Sequence, residues 1–163
     1  MFAPRRGVSL WHPSNTGSAA LKSAGPRQAL AHDPDVPLTP LAADLLEALP
    51  RKRIVAAEFR NRGWFTEETY KLLRDHGVAF ASTNRAGAPE VDTAGFAYLR
   101  WEGDRKTVVA ERGEVQVDRA AETAAWASKV KRHLADGRDA YGYFSKYYSG
   151  YPPHDAETLR EAL

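Results

Sequence analysis

From Ile54 onward the sequence alternates short β-rich runs with longer segments of helical period, and few folds accommodate that alternation. Strands are expected in 54–60 (IVAAEFR), 78–83 (VAFAST), 94–101 (AGFAYLRW) and 140–145 (AYGYFS). Between the first two, Thr66 caps a helix, Glu67 and Glu68 suit its positive end, and Phe65 and Tyr70 form a hydrophobic staple. Gly77 can close that helix in the left-handed conformation. Asp118 is expected to cap a longer helix running to about Asp136, with Trp126, Val130 and Leu134 on one face. A last helix is expected from Asp155, carrying Leu159 and Leu163. Strands alternating with helices imply βαβ units and a parallel sheet, an α/β fold.

Other segments read differently. Asn84 to Asp92 is too short and too rich in Gly and Pro for a helix, and is expected to be a loop. Lys106 to Val117 alternates loosely around Arg112-Gly113, as in an excursion hairpin. Thr39 and Pro40 signal a further helix, with Leu41, Leu45 and Leu49 on one face and Pro50 at its end. Residues 1–37 hold five prolines and no sustained period, so they are expected to be unstructured. A basic organelle-targeting arm is the sharper reading of that segment. The expected division is thus 1–37 and a single folded unit over 38–163.

Composition excludes several classes. With no Cys among 163 residues there is no disulfide framework, thiolate metal site or cysteine nucleophile, which fits a reducing, cytoplasmic setting. A net charge of +2 is too small to argue for nucleic acid. No apolar run approaches the roughly 20 residues that span a bilayer, and no apolar stretch follows Arg5 and Arg6 as a secretory signal requires. The five histidines never fall at metal-ligand spacing. Phosphate-loop, dinucleotide and Gly-x-Ser-x-Gly motifs are absent, so neither a metal nor a cofactor is expected. His76 and His133 fall in final helical turns, where capping is the plain role, and Trp64 and Trp126 suit core packing.

The blocks EFRNRGWF (58–65), FAYLRWEGDR (96–105) and GRDAYGYFSKYYSGYPPHDAETLREAL (137–163) resemble the YecE-like family, domain of unknown function 72. The resemblance runs from about Leu38 to Leu163. It implies a (β/α)8 barrel of the TIM type, a fold that takes about 250 residues, of which the four strands here make the C-terminal half. The family's opening Gly-Thr/Ser-Gly-Trp strand is not found, and residues 1–37 stand in its place. The expectation is therefore a truncated barrel protein without catalysis of its own. With two open sheet edges, it would need a homo-oligomer or a complementing N-terminal half. The family has no established reaction, so the resemblance implies a fold and a surface only.

Strand alternation places Glu58 and Arg60, then Phe96, Tyr98, Arg100 and Glu102, then Tyr141, Tyr143 and Ser145, on the inner face of such a barrel. Active sites of barrels lie at the C-terminal ends of the strands. Candidate catalytic residues there are Glu58 and Glu102, and candidate ligand-binding residues are Arg60, Asn61, Arg100, Tyr143, Ser145 and Lys146. The plain reading is a structural ion-pair layer of Glu58 with Arg100 or Arg60 with Glu102. Two carboxylates also suit a glycoside hydrolase. An Arg two residues from each Glu on the same face opposes a general acid and favours a small phosphate-type anion instead. Five of the seven Tyr lie between Tyr141 and Tyr151. Such a run could stack single-stranded nucleic acid, but a final core strand with an aromatic loop is the commoner reading. The family usually has an Asn pair at Ser145-Lys146, and tends to have His at Asn61 and Glu102. Those departures remove amide and imidazole groups from the pocket.

Overall fold

The computed structural model describes residues 8–11, 44, 46, 47, 54–109 and 112–163. Their strands are β1 (Val8–Trp11), β2 (Ala56–Ala57), β3 (Ala79–Thr83), β4 (Phe96–Trp101) and β5 (Asp139–Phe144). They form one parallel sheet in the order β1-β5-β4-β3-β2. Three helices described over their full length accompany it: α1 (Glu67–His76), α2 (Ala120–Ala135) and α3 (Pro152–Glu161).

Two of these helices form where their ends are well signalled. Thr66 Oγ1 accepts a hydrogen bond from Thr69 N at 3.3 Å, and Gly77 closes α1 at φ 65°. Helix α2 begins at Ala120, whose N–H donates to Asp118 Oδ1 at 2.9 Å. Helix α3 starts at Pro152, three residues earlier than expected. Two consecutive prolines suit a first turn, where their missing N–H groups cost nothing. Strand β2 is much shorter than the run IVAAEFR suggested. Of the helix expected after Thr39, Asp44, Leu46 and Glu47 are helical and Leu46 is buried. The other residues of that helix lie outside the described ones.

Two expectations need correction. Residues 8–11 fall inside the segment expected to be unstructured, yet they form a strand paired in parallel with β5, from Val8↔Ala140 to Trp11↔Tyr143. Four residues are too few to show a period, and what orders them is a ladder to a strand some 130 positions away. The rest of residues 1–37 lies outside the described ones. Nor does 106–117 form a hairpin among the described residues. It is a loop pinned by one side chain: Gln116 accepts from Val109 N at 2.9 Å and donates to Val109 O at 2.8 Å. The Asn84–Asp92 connection is a loop, as expected.

The core lies on the helix side of the sheet. In β4 burial alternates, with Ala97, Leu99 and Trp101 buried and Phe96, Tyr98 and Arg100 half-buried on the other face. Trp101 stacks on Phe144 with ring centroids 4.2 Å apart and meets Trp126 of α2 edge-on at 5.6 Å. Val130, Tyr148 and Leu159 complete that cluster. A second cluster joins Leu46, Tyr70, Leu73, Val78 and Phe80, with Val55, Ala57 and Phe59 packed against it. Burying each large apolar side chain stabilises the fold by roughly 1.5–3 kcal/mol. The opposite face corresponds to a barrel interior, and among the described residues no helix covers it. In a closed eight-stranded barrel the first strand lies beside the last, and β1 takes that place beside β5.

Candidate functional site

The inner-face residues of β2, β4 and β5 converge at the C-terminal ends of the strands, because every strand runs the same way. Two carboxylates and three guanidinium groups meet there. Arg100 Nη1 donates to Glu58 Oε2 at 2.5 Å, and Arg100 Nη2 lies 3.3 Å from Glu102 Oε1. Arg85 bonds Glu102 Oε2 at 2.5 Å through both Nε and Nη2. Arg60 reaches Glu58 at 3.4 Å and Glu102 at 3.5 Å from a largely exposed position. Burial alone would depress the Arg100 pKa, but the charge of Glu58, its hydrogen bond and the charge of Glu102 outweigh it and raise the value. The cluster is an ion-pair layer with one positive charge in excess.

The backbone around the layer is fixed from outside. Asn84 Oδ1 accepts from Glu102 N at 2.8 Å, while Asn84 Nδ2 donates to Glu102 O and to Glu122 Oε1, each at 2.9 Å. That amide ties the end of β4 to the first turn of α2. Arg119 continues the link, from Glu122 Oε2 at 3.1 Å to Tyr148 O at 3.1 Å. Gly103 follows Glu102 where two backbones touch. A Cβ there would stand 1.6 Å from Tyr147 O, so no other residue fits without moving a main chain.

Beyond the layer opens a cavity of about 810 Å³. Arg60, Arg85, Arg100, Arg105, Lys106 and Lys146 line it against two acidic residues, Glu102 and Asp104. The rings of Tyr143 and Tyr147 form part of its wall. Arg100 lies 5.8 Å from the Tyr143 centroid, and Arg105 and Lys146 lie 5.0 and 5.1 Å from that of Tyr147. Ser145 is also on the wall, its Oγ accepting from Tyr147 N at 3.3 Å.

Of the residues singled out from the sequence, Arg60, Arg100, Glu102, Tyr143, Ser145 and Lys146 come together on this cavity. Glu58 sits behind it, on a smaller hollow of about 290 Å³ on the inner face shared with Ala56, Ala81, Tyr98 and Tyr141. Asn61 is elsewhere. Its Oδ1 accepts from Gly63 N at 2.9 Å, capping the short 3-10 turn Arg62–Trp64 outside the cavity. Sequence reasoning missed Asn84, Arg85, Arg105 and Lys106. Arg85 had a readable signal, because it continues the Ala81, Thr83 alternation just past the C-terminal end of β3. Arg105 and Lys106 sit in a loop, where alternation carries no information. Among the described residues no group of three or more His, Cys, Asp or Glu could hold a metal ion. No described helix is long and apolar enough to cross a membrane.

Residues 30–163 match the family described as "Protein of unknown function DUF72". The chain belongs to that family. A DUF72 family protein from Thermotoga maritima MSB8 has a solved structure similar to this one, with a TM-score of 0.58 at 24% identity. The match covers 76% of this chain and 50% of that one. Two structures of a DUF72 family protein from Enterococcus faecalis V583 give TM-scores of 0.53 and 0.55 at 14% and 13% identity. They cover 76% of this chain and 50% and 52% of theirs. The chain thus spans about half the length of these DUF72 structures. At such identities the likeness shows the fold, a parallel sheet flanked by helices as in part of a TIM-like barrel. No curated protein matches the chain.

Proposed function

We propose that this DUF72 chain binds a small phosphate-type anion in the cavity at the C-terminal ends of its strands. One observation carries the reading: six basic side chains surround a single cavity with two acidic ones. The loops after β4 and β5 supply three of the six, Arg105, Lys106 and Lys146. Loops after the last two strands of a TIM barrel frequently form a phosphate site. The hydrolase reading fares less well, because Glu58 and Glu102 both accept hydrogen bonds from guanidinium groups. Those bonds support a charge-balancing role for the two carboxylates over a glycoside-hydrolase one. The absence of Cys favours a cytoplasmic setting.

Thermal melts in phosphate and in chloride at equal ionic strength test this. Phosphate is expected to raise the melting temperature, by about 2.7 kcal/mol of added stability at one hundred times its Kd. Arg105→Ala with Lys106→Ala, both on the loop surface, is expected to abolish that rise and leave the chloride melt in place. Equal melts of the parent chain in the two salts would sink the proposal.

A second reading rests on the sheet. Among the described residues five strands are ordered with β1 at one margin and β2 at the other, and the inner face between them holds a hollow that no described helix covers. We propose that the chain acts as a partial barrel, without independent catalysis, completed by a second copy or by a separate segment of strands.

A further inference from the structure

The anion site has two chemically different halves, and together they specify more than an anion. One half is the loop group of Arg105, Lys106 and Lys146, for which no carboxylate lies within ion-pair distance of Arg105 or Lys106 among the described residues. That half suits a phosphate, which guanidinium and ammonium groups hold with charge-assisted hydrogen bonds. The other half is the strand layer, where Glu102 faces the cavity with side-chain exposure of only 19%. A carboxylate offers about four lone-pair sites. Glu102 Oε1 takes only long contacts, at 3.3 and 3.5 Å, while Oε2 takes the short ones from Arg85. Glu102 Oε1 therefore keeps accepting capacity in a residue that lines the cavity, and the guanidinium groups beside it supply donors. Donors and acceptors side by side fit hydroxyl groups, which need both. A second phosphate would meet Glu102 and be repelled.

We infer that the ligand is a phosphorylated polyol, such as a sugar monophosphate, with its phosphate on the Arg105–Lys106–Lys146 side and its hydroxyls against Glu102 and the strand guanidinium groups. This rests on the anion-binding reading above and adds the ligand's uncharged half. The cavity volume of about 810 Å³ is ample for a molecule of that size. A nucleobase fits the wall less well. The ring of Tyr147 already carries Arg105 and Lys146, so it is no bare stacking platform.

Titration calorimetry on the full chain with inorganic phosphate, ribose, ribose 5-phosphate and adenosine monophosphate decides the matter. Ribose 5-phosphate is expected to bind about tenfold or more tighter than phosphate, a gain of about 1.4 kcal/mol, with the nucleotide no tighter than the sugar phosphate. Phosphate and ribose 5-phosphate binding equally would overturn the inference and leave the anion reading standing. No binding of either would end both. A nucleotide tenfold tighter than ribose 5-phosphate would overturn the inference in favour of a base-reading site. Glu102→Gln is expected to remove the sugar-dependent gain, read as the ratio of the phosphate Kd to the ribose 5-phosphate Kd falling from about tenfold or more to about one. A variant in which the tenfold ratio persists would assign Glu102 a purely structural role and overturn the inference. Should that variant not fold, the ligand series on the parent chain decides by itself.

Discussion

At the scale of single residues, the sharpest constraint beside the cavity is Gly103. The 1.6 Å approach to Tyr147 O leaves no room for a methyl group, and the obstacle is main chain rather than a movable side chain. Gly103→Ala must push the β4 and β5 loops apart. It is expected to lower stability in urea unfolding by at least the 1–3 kcal/mol typical of overpacking, and to weaken phosphate binding with it. Two titratable groups away from the cavity, half-buried His133 and buried Asp155, pull stability in opposite directions. Burial lowers the pKa of His133 below 6.5; Asp92 acts to raise it, and Arg138 and Arg132 act to lower it. The folded state therefore resists protonation, and stability is lost as pH falls from 6.5 through the folded value. His133→Gln is expected to flatten that decline, read from melts between pH 7 and 5. Burial raises the Asp155 pKa above 3.8, opposed by the Ser149 hydroxyl that donates to it at 2.7 Å. Here the folded state holds its proton more tightly, so stability falls as pH rises from 3.8 through the folded value. Asp155→Asn keeps an acceptor for Ser149 and removes the buried charge. It is expected to be more stable than the parent chain at pH 7, and a less stable variant there would refute the assignment.

At the scale of elements, what was legible in the sequence was whatever local signals determine. Helix α1 carried its cap, staple and closing glycine in sequence, and the structure uses Thr66 and Gly77 as expected. Strand alternation in β4 sorted the Phe96, Tyr98, Arg100 face from the Ala97, Leu99, Trp101 face correctly, because a period of two needs no knowledge of the partner. The elements misread are those made by long-range partners. Strand β1 exists through its ladder to β5, and the 106–117 loop is tied to Ser149 O, more than thirty positions on, by the N–H groups of Gln116 and Val117 at 2.7 and 3.1 Å. Four of the five groups of the ionic layer were legible for the same reason: Glu58, Arg60, Arg100 and Glu102 alternate along strands, whereas Asn84, Arg105 and Lys106 lie in loops. The energetic ranking follows the elements. Trp101→Ala opens a void between β4, β5 and α2, and is expected to cost about 3–5 kcal/mol in chemical unfolding. Thr66→Ala removes one cap bond from α1 and is expected to cost about 1 kcal/mol. A reversal of that order would mean that the Trp101 cluster is not the core.

At the scale of the whole molecule, the decisive fact is that β1 and β2, neighbours in chain order among the described strands, stand at opposite margins of the sheet. In a closed barrel successive strands are adjacent, and the first returns to pair with the last. Here the return pairing is made, β1 to β5, while among the described residues no strand pairs with the outer edge of β1 or of β2. Both edges belong to a parallel sheet, and parallel sheets are stable when both faces are covered. The inner face instead carries half-buried Tyr98 and Tyr141 around an open hollow, with Ile54 63% exposed beside them. An edge of unpaired N–H and C=O groups next to apolar surface is a template for another chain. Light scattering behind a sizing column is therefore expected to show a dimer or larger species, and the same peak should melt at a temperature that rises with protein concentration. Ile54→Lys places a charge on the hollow without entering the helix-side core, and is expected to shift the population toward monomer. A monodisperse, cooperatively melting monomer of the parent chain, unchanged by that substitution, would show that five strands suffice and that the open face needs no partner.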